Sequence, residues 1–573
     1  MIKNVVQGSG TAVERTGEDL ALMRVSATTL GDLLLGACDR APDKEALVFP
    51  DARLTYAALA GRVMRRARGL WALGVRPRQH VGLLYPSGID LVTDLFAVAL
   101  CGGVSVLMNA RYRPAELAYV AANADLTTIL TTADTPEQVD FTARLREAFP
   151  GLADAVDAAA LSLPDTPHLR RIVLTGKTGP VPGFIDAARF EAGIDGVAER
   201  TIHHARLCVR VRDTCMILYT SGTSANPKGC LLSHEAIVRE AANLGRYRWG
   251  FTGRDRMWSP LPLFHIAALS GLLLAIDATG TFIGLPHFEA GASLRQIREE
   301  RPTMVFLPFV TFHQAMIAHP DFEDTDMSCV RLMNSCFVMM PEAVGAVYRR
   351  KMPNALQCGT YGMTETSGIA STGGFSMEPE LGFQRLGFAL PGVEIRITDA
   401  ETGQDLPEGR HGEILVRGYS LFDGYYKDPD KTAQVLDADG WYHSGDIGSL
   451  DDHGHVMFHG RFKEMLKVGG ENVAAAEIEA VLARHPAVQL AQVVGLPDAR
   501  LVEIPAAFIE RTPDSTVTAE ELTGFVRQQL AGFKVPRHIR FIGEFVPQWP
   551  MSASKIQKFK LRTALMRELD LND

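Results

Sequence analysis

The sequence predicts an α/β fold, with a large N-terminal domain of layered α/β subdomains followed by a small α+β C-terminal domain. Three observations predict it. At 573 residues the chain is too long for one core, and its length suits three to four domains or subdomains. Through the first third, short apolar runs alternate with helical patterns, the rhythm of strands layered with helices. After Gly460 the character changes to an amphipathic helix, a strand-like run and a turn.

The elements follow in order. His80–Ser87 (HVGLLYPS) reads as a strand leading into a helix through Leu100. VSVLMNA is the next strand, PAELAYVAANAD the next helix and LTTILTT the strand after it. Residues 134–213 form a polar, irregular stretch expected to hold loops that link subdomains. Thr214–Tyr219 (TCMILY) reads as a buried strand and LLSHEAIVREAANL as a helix. The run between them, YTSGTSANPKG from Tyr219 to Gly229, is therefore expected to connect strand to helix, where anion sites are commonly built. Near the C-terminus AAAEIEAVLARHPAV is an amphipathic helix, LAQVVGL a strand, and a turn falls at Pro497–Asp498. A boundary is placed between residues 460 and 461, giving domains 1–460 and 461–573.

Bulk properties exclude several classes. A net charge of −9 argues against general nucleic-acid binding. Eight cysteines lack a CxxC spacing, which suits reduced thiols in a cytoplasmic protein better than a disulfide framework or zinc site. The first 20 residues carry no apolar core of a secretory signal. The longest apolar stretches, Leu95–Met108 and Ile266–Ile276, fall short of the roughly 20 residues needed to span a bilayer. No transmembrane segment is expected.

The Tyr219–Gly229 run concentrates the chemistry. Ser221, Thr223 and Ser224 offer hydroxyl donors, Gly222 and Gly229 let the backbone approach anionic oxygens, and Lys228 supplies a mobile positive charge. These suit a polyphosphate, although the spacing is not that of a P-loop. A solvated Ser/Thr/Gly-rich loop is the plain alternative.

The run resembles the phosphate-binding signature of the adenylate-forming superfamily, which includes acyl-CoA synthetases, luciferases and nonribosomal-peptide adenylation domains. The usual form is YTSGTTGxPKG, from which Ser224 and Ala225 depart mildly. Similar motifs continue in order: Asn109–Val120, PLFH (Pro262–His265), YGMTE (Tyr361–Glu365), YHSGD (Tyr442–Asp446), GRFKEMLKVGGENV (Gly460–Val473) and a lysine-rich close around Lys555. The resemblance implies an AMP-forming acid–CoA ligase that uses ATP, Mg²⁺ and CoA, with a mobile C-terminal domain. A carboxylate attacks the α-phosphorus of ATP, pyrophosphate leaves, and a thiol then displaces AMP from the acyl-AMP.

Residue by residue, the resemblance assigns Thr220, Ser221, Gly222, Thr223, Ser224 and Lys228 to the phosphates. Thr364 goes to the α-phosphate, Tyr361 to the adenine face, Asp446 to the ribose hydroxyls and Arg461 to the same ribose from across the boundary. Glu365 is the Mg²⁺ ligand, since a hard cation bridging phosphates takes one or two carboxylates plus water. The plain alternatives are a core aromatic for Tyr361, a helix cap for Glu365, a turn residue for Asp446 and a surface charge for Arg461. Lys555 is assigned to the adenylation step; the glycine that usually precedes it is absent, so Ser554 adjoins it and Lys558 is a rival. Lys463 aligns with the hinge, and Lys467, Gly469 and Gly470 with the thioester-forming face.

His265 matches the gate beside the substrate carboxylate in acyl- and aryl-CoA ligases, and no aspartate follows in His265–Gly271 to pair with an amino acid's ammonium. The acyl pocket is assigned to His265, Cys336, Phe337 and Gly359. Cys336 and Phe337 stand where related ligases have glycine or alanine, and the added volume predicts a short, branched or ring-containing acid. Three readings stay open beside the CoA ligase: an acyl- or aryl-AMP ligase loading a separate carrier protein, a luciferase-like oxygenase, and a catalytically silent nucleotide sensor. The oligomeric state, a homodimer included, is also open.

Overall fold

The computed structural model describes residues 28–571 apart from 134–138, 177–178, 221–226, 337–341, 375–384, 469–470, 499 and 553–554. Two large sheets organise the N-terminal part. A six-stranded sheet has the order Arg171–Leu174, Thr128–Thr131, His80–Leu84, Val104–Leu107, Thr214–Thr220 and Lys228–Ser233, parallel except for its last strand. The nine-stranded sheet runs Phe388–Ala389, Gly368–Thr372, Leu356–Met363, Leu332–Cys336, Met304–Phe306, Arg256–Ser259, Thr281–Gly284, Glu45–Phe49 and Ala52–Thr55. Its central strands are parallel and its ends antiparallel.

Helices Ile89–Leu100 and Ile266–Asp277 are apolar on nearly every face and almost wholly buried, as expected of helices enclosed by other elements. They belong to one core that also takes in strands of both sheets. A four-stranded antiparallel sheet, Val393–Thr398, Gly412–Gly418, Tyr442–Leu450 and Val456–Arg461, follows. The remaining residues build a smaller sheet around the long hairpin Val488–Asp498 and Val502–Arg511, with its own cores beneath helices Ala475–Leu482, Ala519–Arg527 and Lys558–Glu568. The architecture is the mixed α/β arrangement expected. Among the described residues no helix is long and apolar enough to cross a membrane.

Two expectations are corrected. Leu231–Ser233 belongs to the strand Lys228–Ser233 and not to the start of the helix, so the phosphate-type loop joins two antiparallel strands. Tertiary pairing decides this: Thr214–Thr220 pairs along one edge, while Leu231 and Gly229 form backbone hydrogen bonds with residues 423–426 along the other. The helix begins only at His234, where the Ser233 hydroxyl accepts the Ala236 N–H at 3.2 Å. Residues 134–213 are also more than loops. Arg171–Leu174 completes the six-stranded sheet and Glu199–Leu207 is a helix, both anchored by a few apolar side chains in a polar stretch.

Helix His234–Asn243 is tied to the nine-stranded sheet by a buried carboxyl. Glu240 accepts the Ile369 N–H at 3.0 Å, and its Oε2 has no hydrogen-bond partner among the described residues. Burial pushes its pKa from 4.5 up to about 8. The folded chain therefore retains a proton there that the unfolded chain releases. Stability from this group is complete below pH 4.5 and is lost as pH rises to about 8. Glu240→Gln should remove that dependence: its melting temperature relative to wild type should climb steadily between about pH 5 and about pH 8.5. Parallel melting curves across that range would mean that Glu240 ionises normally.

Candidate active site

The strand Leu356–Met363 ends in a tight reversal. A 3₁₀ turn, Thr364–Thr366, returns the chain into the antiparallel strand Gly368–Thr372. Ser367 adopts φ +56° and Gly368 φ +119°. At Gly362 a Cβ would lie 1.8 Å from the Gly368 carbonyl oxygen, so only glycine fits. The Thr366 hydroxyl accepts the Met363 N–H at 3.0 Å and fixes the turn. The turn thus presents Thr364 and Glu365 at a sheet end, both partly exposed.

Glu365 meets the other half of the site through Tyr425. The Tyr425 hydroxyl donates to Glu365 Oε1 at 2.9 Å, and the Phe422 N–H donates to the Glu365 carbonyl at 2.9 Å. Tyr425 is placed by its bridge to Cys230, in the strand that begins at Lys228. The Lys228 ammonium lies 4.7 Å from the centroid of the Tyr425 ring. Burial, then the Glu365 charge, raises the Tyr425 phenol, so it stays a donor. Lys228 and Glu365 therefore flank one aromatic ring. Thr220 pairs with Lys228 across the strands, while Ser221, Gly222, Thr223 and Ser224 lie outside the described residues.

Near the end of the strand Leu356–Met363, the Tyr361 hydroxyl donates to Asp446 Oδ2 at 3.0 Å, and the Arg461 Nε lies 2.8 Å from Asp446 Oδ1. Asp446 and Arg461 stand opposite each other on neighbouring strands, which sets the pair by register. Asp446 is 2% exposed, yet Arg461 keeps it paired; burial opposes the guanidinium charge most, and Asp446 together with Glu464, Tyr361 and Tyr442 outweighs it to raise the Arg461 pKa. The turn before Asp446 is held by Glu413, which accepts the Gly445 N–H at 3.0 Å and contacts His443 Nδ1 at 3.0 Å. The Ser444 hydroxyl accepts the Asp446 N–H at 3.0 Å.

His265 caps helix Ile266–Asp277 by position, its ring 4.9 Å from that of Phe264. The adjoining Leu263 N–H donates to the Ser87 hydroxyl at 2.8 Å, fastening the PLFH segment to the loop that follows a strand of the six-stranded sheet. On the nine-stranded sheet, Cys336 ends its strand in register with Thr360, and Gly359 pairs with Ser335. Phe337 lies outside the described residues. Beside these positions a polar chain crosses the sheet. Asn334 Nδ2 donates to the Cys358 carbonyl at 3.1 Å and to Thr360 Oγ1 at 2.5 Å, Thr360 Oγ1 meets Thr372 Oγ1 at 2.9 Å, and Trp249 Nε1 donates to Thr372 at 3.3 Å. Trp249 is fully buried, edge-on to Phe306.

In the C-terminal part Lys463 lies in the 3₁₀ turn Phe462–Glu464, and Lys555 opens the short strand Lys555–Ile556. Lys467 is exposed on the strand Met465–Val468, its backbone N–H bonded to Glu503 at 2.7 Å. Gly469 and Gly470 lie outside the described residues. Lys558 is engaged elsewhere, 3.0 Å from Glu464 and 2.8 Å from Glu479. The contacts therefore join Lys228 to Glu365 through Tyr425, and Tyr361 to Asp446 and Arg461, around the end of one strand. Lys467 and Lys558 make their contacts with Glu503, Glu464 and Glu479 instead, and the Glu464 charge also acts on Arg461. Sequence reasoning missed Tyr425, Glu413 and Glu240. The aromatic pair in Gly424–Lys427, flanked by glycine and lysine, is a signal for the first; the other two carry none.

The residues fit a phosphate-bridging Mg²⁺ better than a protein cage. Glu365 supplies one carboxylate, and among the described residues no group of three or more His, Cys, Asp or Glu converges to hold a metal.

Known proteins match most of the chain. The family described as AMP-binding enzyme matches residues 35–426, and the AMP-binding enzyme C-terminal domain matches residues 477–550. The chain is 30% identical over 551 residues to the putative acyl-CoA synthetase YngI of Bacillus subtilis (strain 168), covering 95% of this chain and 98% of that protein. It is 32% identical over 518 residues to 4-coumarate–CoA ligase 4 of Arabidopsis thaliana, covering 89% and 86%. Among solved structures, the anthranilate CoA ligase AuaEII with anthranoyl-AMP superposes with a TM-score of 0.81 at 25% identity, covering 96% and 99%. ATP-bound MatB from Rhodopseudomonas palustris gives 0.79 at 26% identity, covering 95% and 100%.

Tyr425→Phe should test the link between Lys228 and Glu365. Without the phenol, Glu365 loses the donor that orients it, and the Mg²⁺ concentration for half-maximal activity should rise about tenfold with the melting temperature little changed. An unchanged Mg²⁺ titration would show that Tyr425 does not orient Glu365.

Proposed function

The chain belongs to the AMP-binding enzyme family, and on that premise we propose how its residues divide the work of an acid–CoA ligase and which acids it takes. The reaction is AMP-forming and uses ATP, Mg²⁺ and CoA. The observation that carries the assignment of residues is the arrangement of Lys228, Tyr425 and Glu365 with Tyr361, Asp446 and Arg461 around one strand end.

In this reading Asp446 and Arg461 hold the ribose, Tyr361 lies against adenine while its hydroxyl orients Asp446, and Lys228 with Thr220, Ser221, Gly222, Thr223 and Ser224 holds the phosphates. Thr364 binds the α-phosphate. Glu365 would hold Mg²⁺, which when bound neutralises phosphate charge and favours departure of pyrophosphate. His265 stands beside the acid's carboxylate. The carboxylate oxygen forms a bond to the α-phosphorus as the bond to the bridging oxygen of pyrophosphate breaks, and Lys555 stabilises the charge that develops. The CoA sulfur then bonds to the acyl carbon, the bond to AMP breaks, and the thiol proton passes to solvent. We place the domain boundary at 460/461 and the hinge at Lys463, with Lys467, Gly469 and Gly470 on the thioester-forming face. The free cysteine thiols suit a reducing compartment such as the cytoplasm.

We propose a short, branched or ring-containing acid. Support comes from the chain of Asn334, Thr360, Thr372 and Trp249, which fills the sheet next to Cys336 and Gly359 with bonded groups and a full-sized indole. An extended alkyl chain would have to displace them. The relatives named for 4-coumarate and anthranilate ligation are compatible with a ring.

Purified protein with Mg-ATP, CoA and a panel of acids should form thioesters best with short or ring-bearing acids. Better kcat/KM with palmitate would sink the substrate reading, and acyl-AMP without thioester would make a carrier protein the acceptor. Trp249→Leu should raise kcat/KM for acids one or two methylenes longer by about tenfold relative to the wild-type preference; an unaltered length profile would remove Trp249 from the pocket. Lys555→Ala should abolish adenylation yet spare thioester formation from supplied acyl-AMP. Equal loss in both half-reactions would contradict its role.

A further inference from the structure

Lys558 occupies a position that local rules disfavour. It is the first residue of helix Lys558–Glu568, which has no acidic residue in its first turn and no side-chain cap. A cation there opposes the helix dipole. Its ammonium is nonetheless mostly buried, 19% exposed, between Glu464 Oε2 at 3.0 Å and Glu479 Oε1 at 2.8 Å. Burial would lower its pKa, but Glu479 and Glu464 outweigh it and raise it.

The partners come from different elements. Glu464 ends the turn Phe462–Glu464 that contains Lys463, and Glu479 lies on helix Ala475–Leu482. Glu479 Oε1 also accepts the Val493 N–H at 2.7 Å, which ties the cluster to the strand Val488–Asp498. On its other side Lys558 follows the hairpin of Met551–Ser552 and Lys555–Ile556, whose foot is closed by the Gln557 N–H donating to the Pro550 carbonyl at 2.8 Å. Lys555 therefore lies less than one helical turn's worth of chain before a lysine whose charge cluster reaches the hinge turn.

We infer that Lys558 is a positioning residue for adenylation: held between Glu464 and Glu479, it locks the base of the Lys555 hairpin to the turn containing Lys463, so that rotation there carries Lys555 as part of one rigid piece. The inference rests on the assignment of Lys555 to adenylation and Lys463 to the hinge. A lysine engaged by two carboxylates is not itself the group that meets the α-phosphate. The clamp adds to the hairpin's short pairing and to the packing of Ile556 in fixing its direction, and a misplacement of about 1 Å costs on the order of a hundredfold in rate.

The test compares Lys558→Met, Lys558→Arg, Glu464→Gln and Lys555→Ala in acid-dependent pyrophosphate exchange and in thioester formation from supplied acyl-AMP. Lys558→Met should lower the adenylation kcat by about 10- to 100-fold with KM for ATP unchanged, and Lys558→Arg should restore most of it. Glu464→Gln should give part of the loss and add nothing to Lys558→Met. Because Glu464 is half exposed, that variant carries the test should Lys558→Met fail to fold. A lowered melting temperature with wild-type adenylation kcat in Lys558→Met would reduce Lys558 to a structural strut and overturn the proposal. Retained adenylation in Lys555→Ala would overturn the assignment of Lys555, whereas an inactive Lys555→Ala beside a fully active Lys558→Met would overturn only the positioning role.

Discussion

The close approach of the Gly362 and Gly368 backbones is the constraint on which the site depends. With no room for a side chain between them, the strand Leu356–Met363 can fold back at once through Thr364–Thr366. Three connections then hang from one strand and its turn. Thr360 joins the polar chain beside Cys336, Tyr361 reaches Asp446, and Glu365 reaches Tyr425. Alternation along the strand separates the first two, and the reversal carries the third beyond the strand end. Glu240 fixes the returning strand through Ile369.

Buried charge is managed differently at each place. Asp446 sits opposite Arg461, an ion-pair partner built into the neighbouring strand. Glu240 has burial as its dominant influence and keeps its proton well above the usual carboxylate range. Lys558 has two carboxylates and stays an ammonium despite its enclosure. The difference suits each setting: a carboxyl paired across strands sits beside Tyr361, a neutral acid fastens one strand, and a paired cation joins elements around a turn.

Motif spacing makes much of the site legible. Lys228, Tyr361, Glu365, Asp446 and Arg461 can all be named from sequence, and the structure gathers them around one strand end. Leu231–Ser233 is not legible in the same way, because backbone pairing on both edges makes it part of a strand where local pattern points to a helix. Tyr425 and Glu413 escape a sequence reading because their roles depend on which distant segment lies beside them. Lys558 can be named but not distinguished from Lys555 by sequence, since the two are near neighbours along the chain and only the carboxylates that enclose Lys558 set it apart.

The sequence by itself determined the order of the alternating strands and helices in the first third, the family, and the kinds of group offered to a nucleotide. Those properties lie in periodicity and in residue types at short, fixed spacings. The tertiary structure alone decided which strand edges meet, that Tyr425 bridges Lys228 and Glu365, and that Trp249 reaches Thr372 from 123 residues away. It also decided that Lys558 is enclosed by Glu464 and Glu479. Long-range pairing and burial set those contacts, and neither is encoded in any local stretch of the chain.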